Sequence, residues 1–209
     1  MKRNLISALA GLAVLAATLA PAAVASPVLT EGGVALNPGA AISATNVGNL
    51  IRTSAFGNFI CTGSTLRMKV LANTGTTIEA EVESATFTGT ETEGRCTGLG
   101  AERVTAKNLP WCLKAGGGLA ADTFELRGGK CSEAAKPLTW EMPNAFGSCF
   151  HTTPKMTGSF STGGTQAHLT LYQQSTIRES GSGCLENLKW DATYSLETTA
   201  SPFSPLTIS

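Results

Sequence analysis

The chain has 209 residues, 42% of them hydrophobic and only 14% charged, and its fifteen basic and fifteen acidic side chains cancel. Lys2 and Arg3 open the chain, and without them thirteen cations face fifteen acids, so the basic footprint of a nucleic-acid binder is missing. The size suits a single domain with a core of its own.

The first predicted element is a leader. Lys2 and Arg3 precede an almost continuous apolar run from Leu5 to Ala20, and Ala23-Val24-Ala25 has the small side chains of a cleavage site. Residues 1–25 are therefore expected to be a signal peptide cut after Ala25, leaving 26–209 as a domain that is secreted or associated with the cell surface. The apolar run is short for a membrane span and Pro21 interrupts it. No second run follows, so no transmembrane segment is expected.

Past the leader the apolar residues recur with period two. Leu66, Met68 and Val70 alternate with Arg67 and Lys69, the run Asn73 to Gly75 supplies a turn, and Ile78, Ala80 and Val82 alternate with Glu79, Glu81 and Glu83. A loop of this kind ending in Gly predicts a hairpin in which Lys69 faces Glu79 and Arg67 faces Glu81. A slip of two residues still pairs opposite charges. Three carboxylates on one strand face are also a conceivable calcium or acid–base site. Alternate residues on a strand lie about 7 Å apart, however, and calcium recruits loop oxygens. Facing cations neutralise the row, so an ion-paired surface is the expectation.

Further strands are predicted over 102–108, 123–127, 138–142 and, after a Gly163-Gly164 turn, 167–172. The longest covers 188–197, with Leu188, Trp190, Ala192, Tyr194 and Leu196 on one face, and Leu206 and Ile208 close the chain as an edge strand. Many short strands between Gly-, Ser- and Thr-rich turns predict an all-β fold: a disulfide-stabilised antiparallel β-sandwich with a Greek-key or duplicated plan, with a barrel as the alternative. A shift of 88 residues superposes Cys61 on Cys149, Met68 on Met156 and Cys96 on Cys184, a weak internal echo of 61–111 in 149–199. A transmembrane barrel would need strands of about 9–11 residues with apolar outer faces, and most strands here are shorter and rich in threonine.

All six cysteines (Cys61, Cys96, Cys112, Cys131, Cys149 and Cys184) follow the leader. An even count in an exported chain reads as three disulfides, with 15 connectivities open. Cys61 to Cys96 and Cys149 to Cys184 each span 35 residues, and Cys112 and Cys131 are left 19 apart. The spacing and the echo together predict those three pairs, with Cys112–Cys131 tying two strands across the glycine-rich stretch 114–122.

Catalytic signatures are scarce. Cys112, in the stretch LPWCLK, has no neighbouring histidine or cation pattern to activate a thiolate and no CxxC spacing to hold zinc. His151 and His168 stand apart and are expected at the surface. No G-x-S-x-G elbow accompanies them, and Asp122 and Asp191 lie in plain hairpin or strand contexts. The fifteen carboxylates include no motif that marks a glycosidase pair. The glycine run 115–120 has no following helix to hold a phosphate. No catalytic residue, metal ligand or cofactor is assigned. Trp140 and Trp190 are in phase with apolar strand residues and belong to the core. Trp111 follows Pro110 at a strand end, where an aromatic ring is able to meet a ligand, and it is the one ligand-binding candidate.

The Ala-rich leader, the strand CTGST at 61–65, ATFTG before Cys96, NLPW at 108–111, and the C-terminal half running through ATYSL to PLTIS resemble a loose group of uncharacterised secreted actinobacterial all-β proteins. Weaker similarity, chiefly around NLPW, links them to proteins named activators of alkane oxidation. The resemblance runs from Cys61 to the C-terminus and brings no catalytic residue with it. The additional pair Cys112 and Cys131 departs from the group's simpler pattern.

The expected function is that of a non-enzymatic extracellular or envelope-associated interaction or structural protein, in contact with a cell surface, matrix or hydrophobic substrate. A carrier of a small apolar ligand in an all-β cavity is the alternative. A secreted hydrolase is the second alternative.

Overall fold

The computed structural model describes residues 27–98, 103–120, 122–144, 146–161, 164–200 and 203–208. The expected leader with its cleavage site, Glu102 and Gly163 lie outside the described residues. Among the described residues no helix is long and apolar enough to cross a membrane.

Sixteen strands follow one another among the described residues: β1 (Leu29–Glu31), β2 (Val34–Ala35), β3 (Ala41–Asn46), β4 (Leu50–Ser54), β5 (Gly57–Cys61), β6 (Gly63–Asn73), β7 (Thr77–Thr88), β8 (Thr105–Lys107), β9 (Trp111–Gly116), β10 (Thr123–Gly128), β11 (Leu138–Asn144), β12 (Gly147–Thr153), β13 (Met156–Phe160), β14 (His168–Ser180), β15 (Asn187–Thr198) and β16 (Leu206–Ile208). The all-β, disulfide-stabilised, antiparallel fold is as expected, and the barrel form of it is the one adopted. The order β15-β3-β6-β7-β9-β10-β13-β14, with β14 pairing back to β15, closes an eight-stranded antiparallel barrel. Period-two alternation drives this closure. Met68 and Val70 of β6, Ile78, Ala80 and Val82 of β7, and Leu126 of β10 all point inward and are buried. An eight-stranded barrel is just wide enough for its own side chains to fill. At Gly158 of β13 a Cβ would stand 2.4 Å from the Phe124 ring, so only glycine lets that ring lie across the strand.

Strands β14 and β15 are longer than the barrel needs. Their register shifts between Leu171 and Gln174, where Tyr172 and Gln173 oppose Asp191. Gln173 takes a left-handed φ of 50°, and its backbone N–H and side-chain Nε2 donate to the two Asp191 carboxylate oxygens at 2.8 and 3.0 Å. Such a bulge bends a strand and sharpens its twist. Beyond it β14 and β15 join a second sheet, ordered β5-β4-β15-β14-β12-β11-β8.

A third, small sheet covers the barrel. β1 pairs with β16 and with β2, joining the two ends of the described chain. Leu29, Leu206 and Ile208 of this cap are buried. Asn73 at the end of β6 holds it down: its Oδ1 accepts from Leu29 N at 2.8 Å, and its Nδ2 donates to the carbonyls of Leu29 and Leu36 at 2.8 and 3.0 Å.

The three disulfides are Cys61–Cys96, Cys112–Cys131 and Cys149–Cys184. Cys131 does not sit on a strand as expected. It lies in the turn after β10 and is drawn across β9 onto β7, where its backbone N–H donates to the Glu81 carboxylate at 3.0 Å. The β6–β7 register also differs from expectation. Lys69 faces Glu81 and Arg67 faces Ser84, because two bulges interrupt the ladder. Glu79 instead pairs with Lys114 of β9 at 2.8 Å. Two of the three glutamates, Glu79 and Glu81, are thus tied by ion pairing and hydrogen bonding, and Glu83 is exposed.

Candidate functional site

Trp111 is not exposed. It is buried, its indole N–H donates to the Lys107 carbonyl at 2.8 Å, and its ring meets Trp140 edge-on with centroids 5.4 Å apart. The chain folds back through β8 and β11 over the strand end that sequence left open. His151 is also a correction: it is fully buried rather than at the surface. On β12 it shares the inward face with Cys149, two residues before it. His168 is half-buried near the start of β14. The two histidines, on different strands, are not brought together with a serine and an aspartate. Among the described residues no three His, Cys, Asp or Glu side chains gather as a metal site.

What the second sheet builds instead is an aromatic box between itself and one end of the barrel. Trp140 and Trp190 lie 4.9 Å apart, and Phe87 meets Trp190 edge-on at 5.5 Å. The Arg52 guanidinium sits 5.7 and 4.8 Å from the Trp140 and Trp190 ring centroids. Its Nη1 contacts the Met142 sulfur at 3.0 Å and its Nη2 the Thr176 hydroxyl at 3.5 Å. A cation over desolvated indole faces is held by the ring quadrupoles. Burial first, and then the charges of Arg52 and Arg178, push the His151 imidazole down to about 4, so it is neutral at physiological pH. Tyr194 closes the barrel side of the box, sharing a 3.1 Å hydrogen bond with Ser64, and burial pushes its phenol up to about 12. Arg52, Trp140, Trp190 and His151 are all shut away from solvent, so the box is a supporting frame for the surface beyond it.

That surface is formed by three hairpin tips. The β4–β5 hairpin turns through Ala55-Phe56, with Ser54 opposite Gly57. The β11–β12 hairpin closes with Asn144 opposite Gly147, and Phe146 lies in its turn. Both turns carry the tripeptide Ala-Phe-Gly, at 55–57 and 145–147. Tight hairpin turns favour Asn, Asp and Gly, and burying a phenylalanine there is not part of the turn's chemistry. Phe56 and Phe146 are indeed 77% and 78% exposed. The third tip is the β14–β15 loop, fastened from below by Cys149–Cys184. Phe146 lies over Gly183 of this loop, where a Cβ would come within 2.7 Å of its ring. Phe56 borders a recess of about 410 Å³ completed by Ser54, Ala55, Cys184, Leu185, Glu186 and Asn187. The charged side chains of the β14–β15 hairpin nearest the tips are Arg178, Glu179, Glu186 and Lys189, two of each sign, with Arg178 and Glu186 3.3 Å apart.

Two other hollows contrast with this end. Inside the barrel, Leu29, Ile42, Met68, Phe160, Leu196, Ile208 and their neighbours leave an apolar void of only about 20 Å³, room for one water at most. Near the cis Leu109–Pro110 bond a polar recess of about 290 Å³ is lined by Asn108, Gly129, Lys130, Glu133 and Lys136, with Glu133 and Lys136 paired to each other at 3.3 Å. Phe56, Phe146 and Leu185 were missed from sequence; the repeated Ala-Phe-Gly was the signal for the two phenylalanines, and Leu185 carried none.

Neither a protein family, nor a curated protein, nor a solved structure matches this chain.

Proposed function

We propose that this protein is a non-enzymatic contact module, exported and working at the outer surface of the cell envelope, that meets its target through the aromatic hairpin end. The observation that carries this reading is the pair of Ala-Phe-Gly turns, each presenting a phenylalanine to solvent at the same end of the molecule. Exposed aromatic side chains cost solubility and are not what turns of this length require, whereas clustered apolar groups mark contact sites. Three disulfides suit an oxidising, extracellular setting. One of them, Cys149–Cys184, also ties β12 to the β14–β15 loop at the presenting end, which lowers the entropic cost of contact. The filled barrel counts against the carrier reading, because a ligand would have to displace the Leu29, Leu206 and Ile208 side chains of the cap.

Co-sedimentation with isolated envelopes of the producing cell tests this. The purified protein is expected to pellet with the envelopes at both low and high salt, and the F56S/F146S double variant to remain largely in the supernatant. A protein that never pellets, or a double variant that pellets as well as the parent, removes the reading.

A further inference from the structure

We infer that the surface contacted by the hairpin end is the lipid–water interface of a bilayer, into which Phe56 and Phe146 insert. The inference rests on the contact-module reading and names its partner. Area is the first argument. Two phenylalanines at 77% and 78% exposure offer on the order of 300 Å² of apolar surface. A stable protein partner or second copy of the chain needs about 800 Å² from each side. A bilayer needs no complementary patch and takes each apolar group separately. Charge is the second argument. The charged side chains of the β14–β15 hairpin, Arg178, Glu179, Glu186 and Lys189, sum to zero, so this hairpin brings no net charge to a protein face or an anionic headgroup layer. The rings beside it therefore meet a surface without repulsion from this hairpin. Shape is the third. The rings sit on turns at the ends of separate hairpins, with Leu185 in the recess beside Phe56. This is a projecting end that meets a plane, braced from behind by Cys149–Cys184.

The test uses the purified, disulfide-intact protein with phosphatidylcholine vesicles and with vesicles that also contain phosphatidylglycerol, at low and high salt. Flotation is expected to show the same partition coefficient for both vesicle types and both salt conditions. Phe56→Ser and Phe146→Ser are each expected to lower it roughly tenfold, and the double variant on the order of a hundredfold. Tyr172→Ser, which removes an equally exposed ring on the outer face of β14, is expected to leave it unchanged. A Phe56→Trp variant adds one exposed indole to three buried ones, and its emission is expected to shift to the blue when vesicles are added. Binding only to anionic vesicles at low salt overturns the inference, as does an undiminished double variant or an unshifted emission from the Phe56→Trp variant. Pelleting with envelopes but not with lipid vesicles overturns it too, and leaves the contact-module reading in place; pelleting with neither removes both.

Discussion

At the scale of single residues, the box around Arg52 decides how the protein answers to acid. His151 lies on β12 between Trp140 of β11 and Arg178 of β14, and the charges that act on it are those of Arg52 and Arg178, both repelling a proton. Its folded pKa of about 4 stands below the ordinary 6.5. Above pH 6.5 the imidazole is neutral in folded and unfolded chains alike. Between 6.5 and 4 the unfolded chain takes up a proton that the folded protein refuses, so stability falls as the pH falls through this window. The full loss is on the order of 3 kcal/mol. His151→Leu removes the titrating group while keeping an apolar fill, so its melting temperature should decline less between pH 6.5 and 4 than that of the parent. Parallel curves for the two proteins would show that the imidazole does not titrate as its surroundings dictate. The burial of His151 was within reach of the sequence. Cys149, committed to a disulfide and two residues earlier on the same strand, sets the inward phase that His151 and Thr153 share. Trp111 was harder to place, because β11, whose Trp140 covers its ring, is distant in the chain.

At the scale of elements, the strands were legible wherever alternation was regular, as in β6, β10 and β15, and their register was illegible where a bulge broke the count. Arg67/Met68, Val70/Ala72 and the Tyr172-Gln173 bulge each move one residue out of phase. A period-two reading cannot see an inserted residue until it knows the partner strand. The cap is the clearest case of an element made by a long-range partner. β1 and β16 have three residues each, too short to stand as a hairpin, and they lie on the barrel because Asn73 offers three hydrogen bonds to the chain around β1. Asn73→Ala should therefore leave Leu29 N and the Leu36 carbonyl to water or to nothing, while the Leu29 carbonyl keeps the bond from Leu36 N at 3.0 Å. A cost of about 1–3 kcal/mol is expected. Hydrogen exchange over residues 27–36 should accelerate more than exchange in the barrel strands. Uniform acceleration across the protein would mean that the cap has no opening of its own.

At the scale of the whole molecule, the two sheets share β14 and β15, and this sharing was not legible in the sequence. The run 188–197 announced a long strand, but nothing local distinguishes a strand that serves one sheet from a strand that serves two. The choice is made by β3 and β4, which pair with successive stretches of β15: residues 194–198 with β3 and 189–191 with β4. Closure of the barrel likewise depends on β14 meeting β15, and the two pair on both sides of the bulge at Gln173, residues 168–171 within the barrel and 174–177 beyond it. The candidate site inherits its rigidity from this arrangement. The hairpin tips rest on the aromatic box, the box rests between the second sheet and the barrel end, and β14 and β15 run through both. A structure joined in this way should unfold as one unit. All three tryptophans lie in the box, so their fluorescence reports the second core, while far-ultraviolet circular dichroism reports every strand. The two transitions are expected to coincide on heating. Asp191→Ala frees the bulge at the junction and should lower both midpoints by the same amount. A tryptophan signal that melts ahead of the circular dichroism would instead show a barrel that survives without the second sheet, and a contact surface that can loosen on its own.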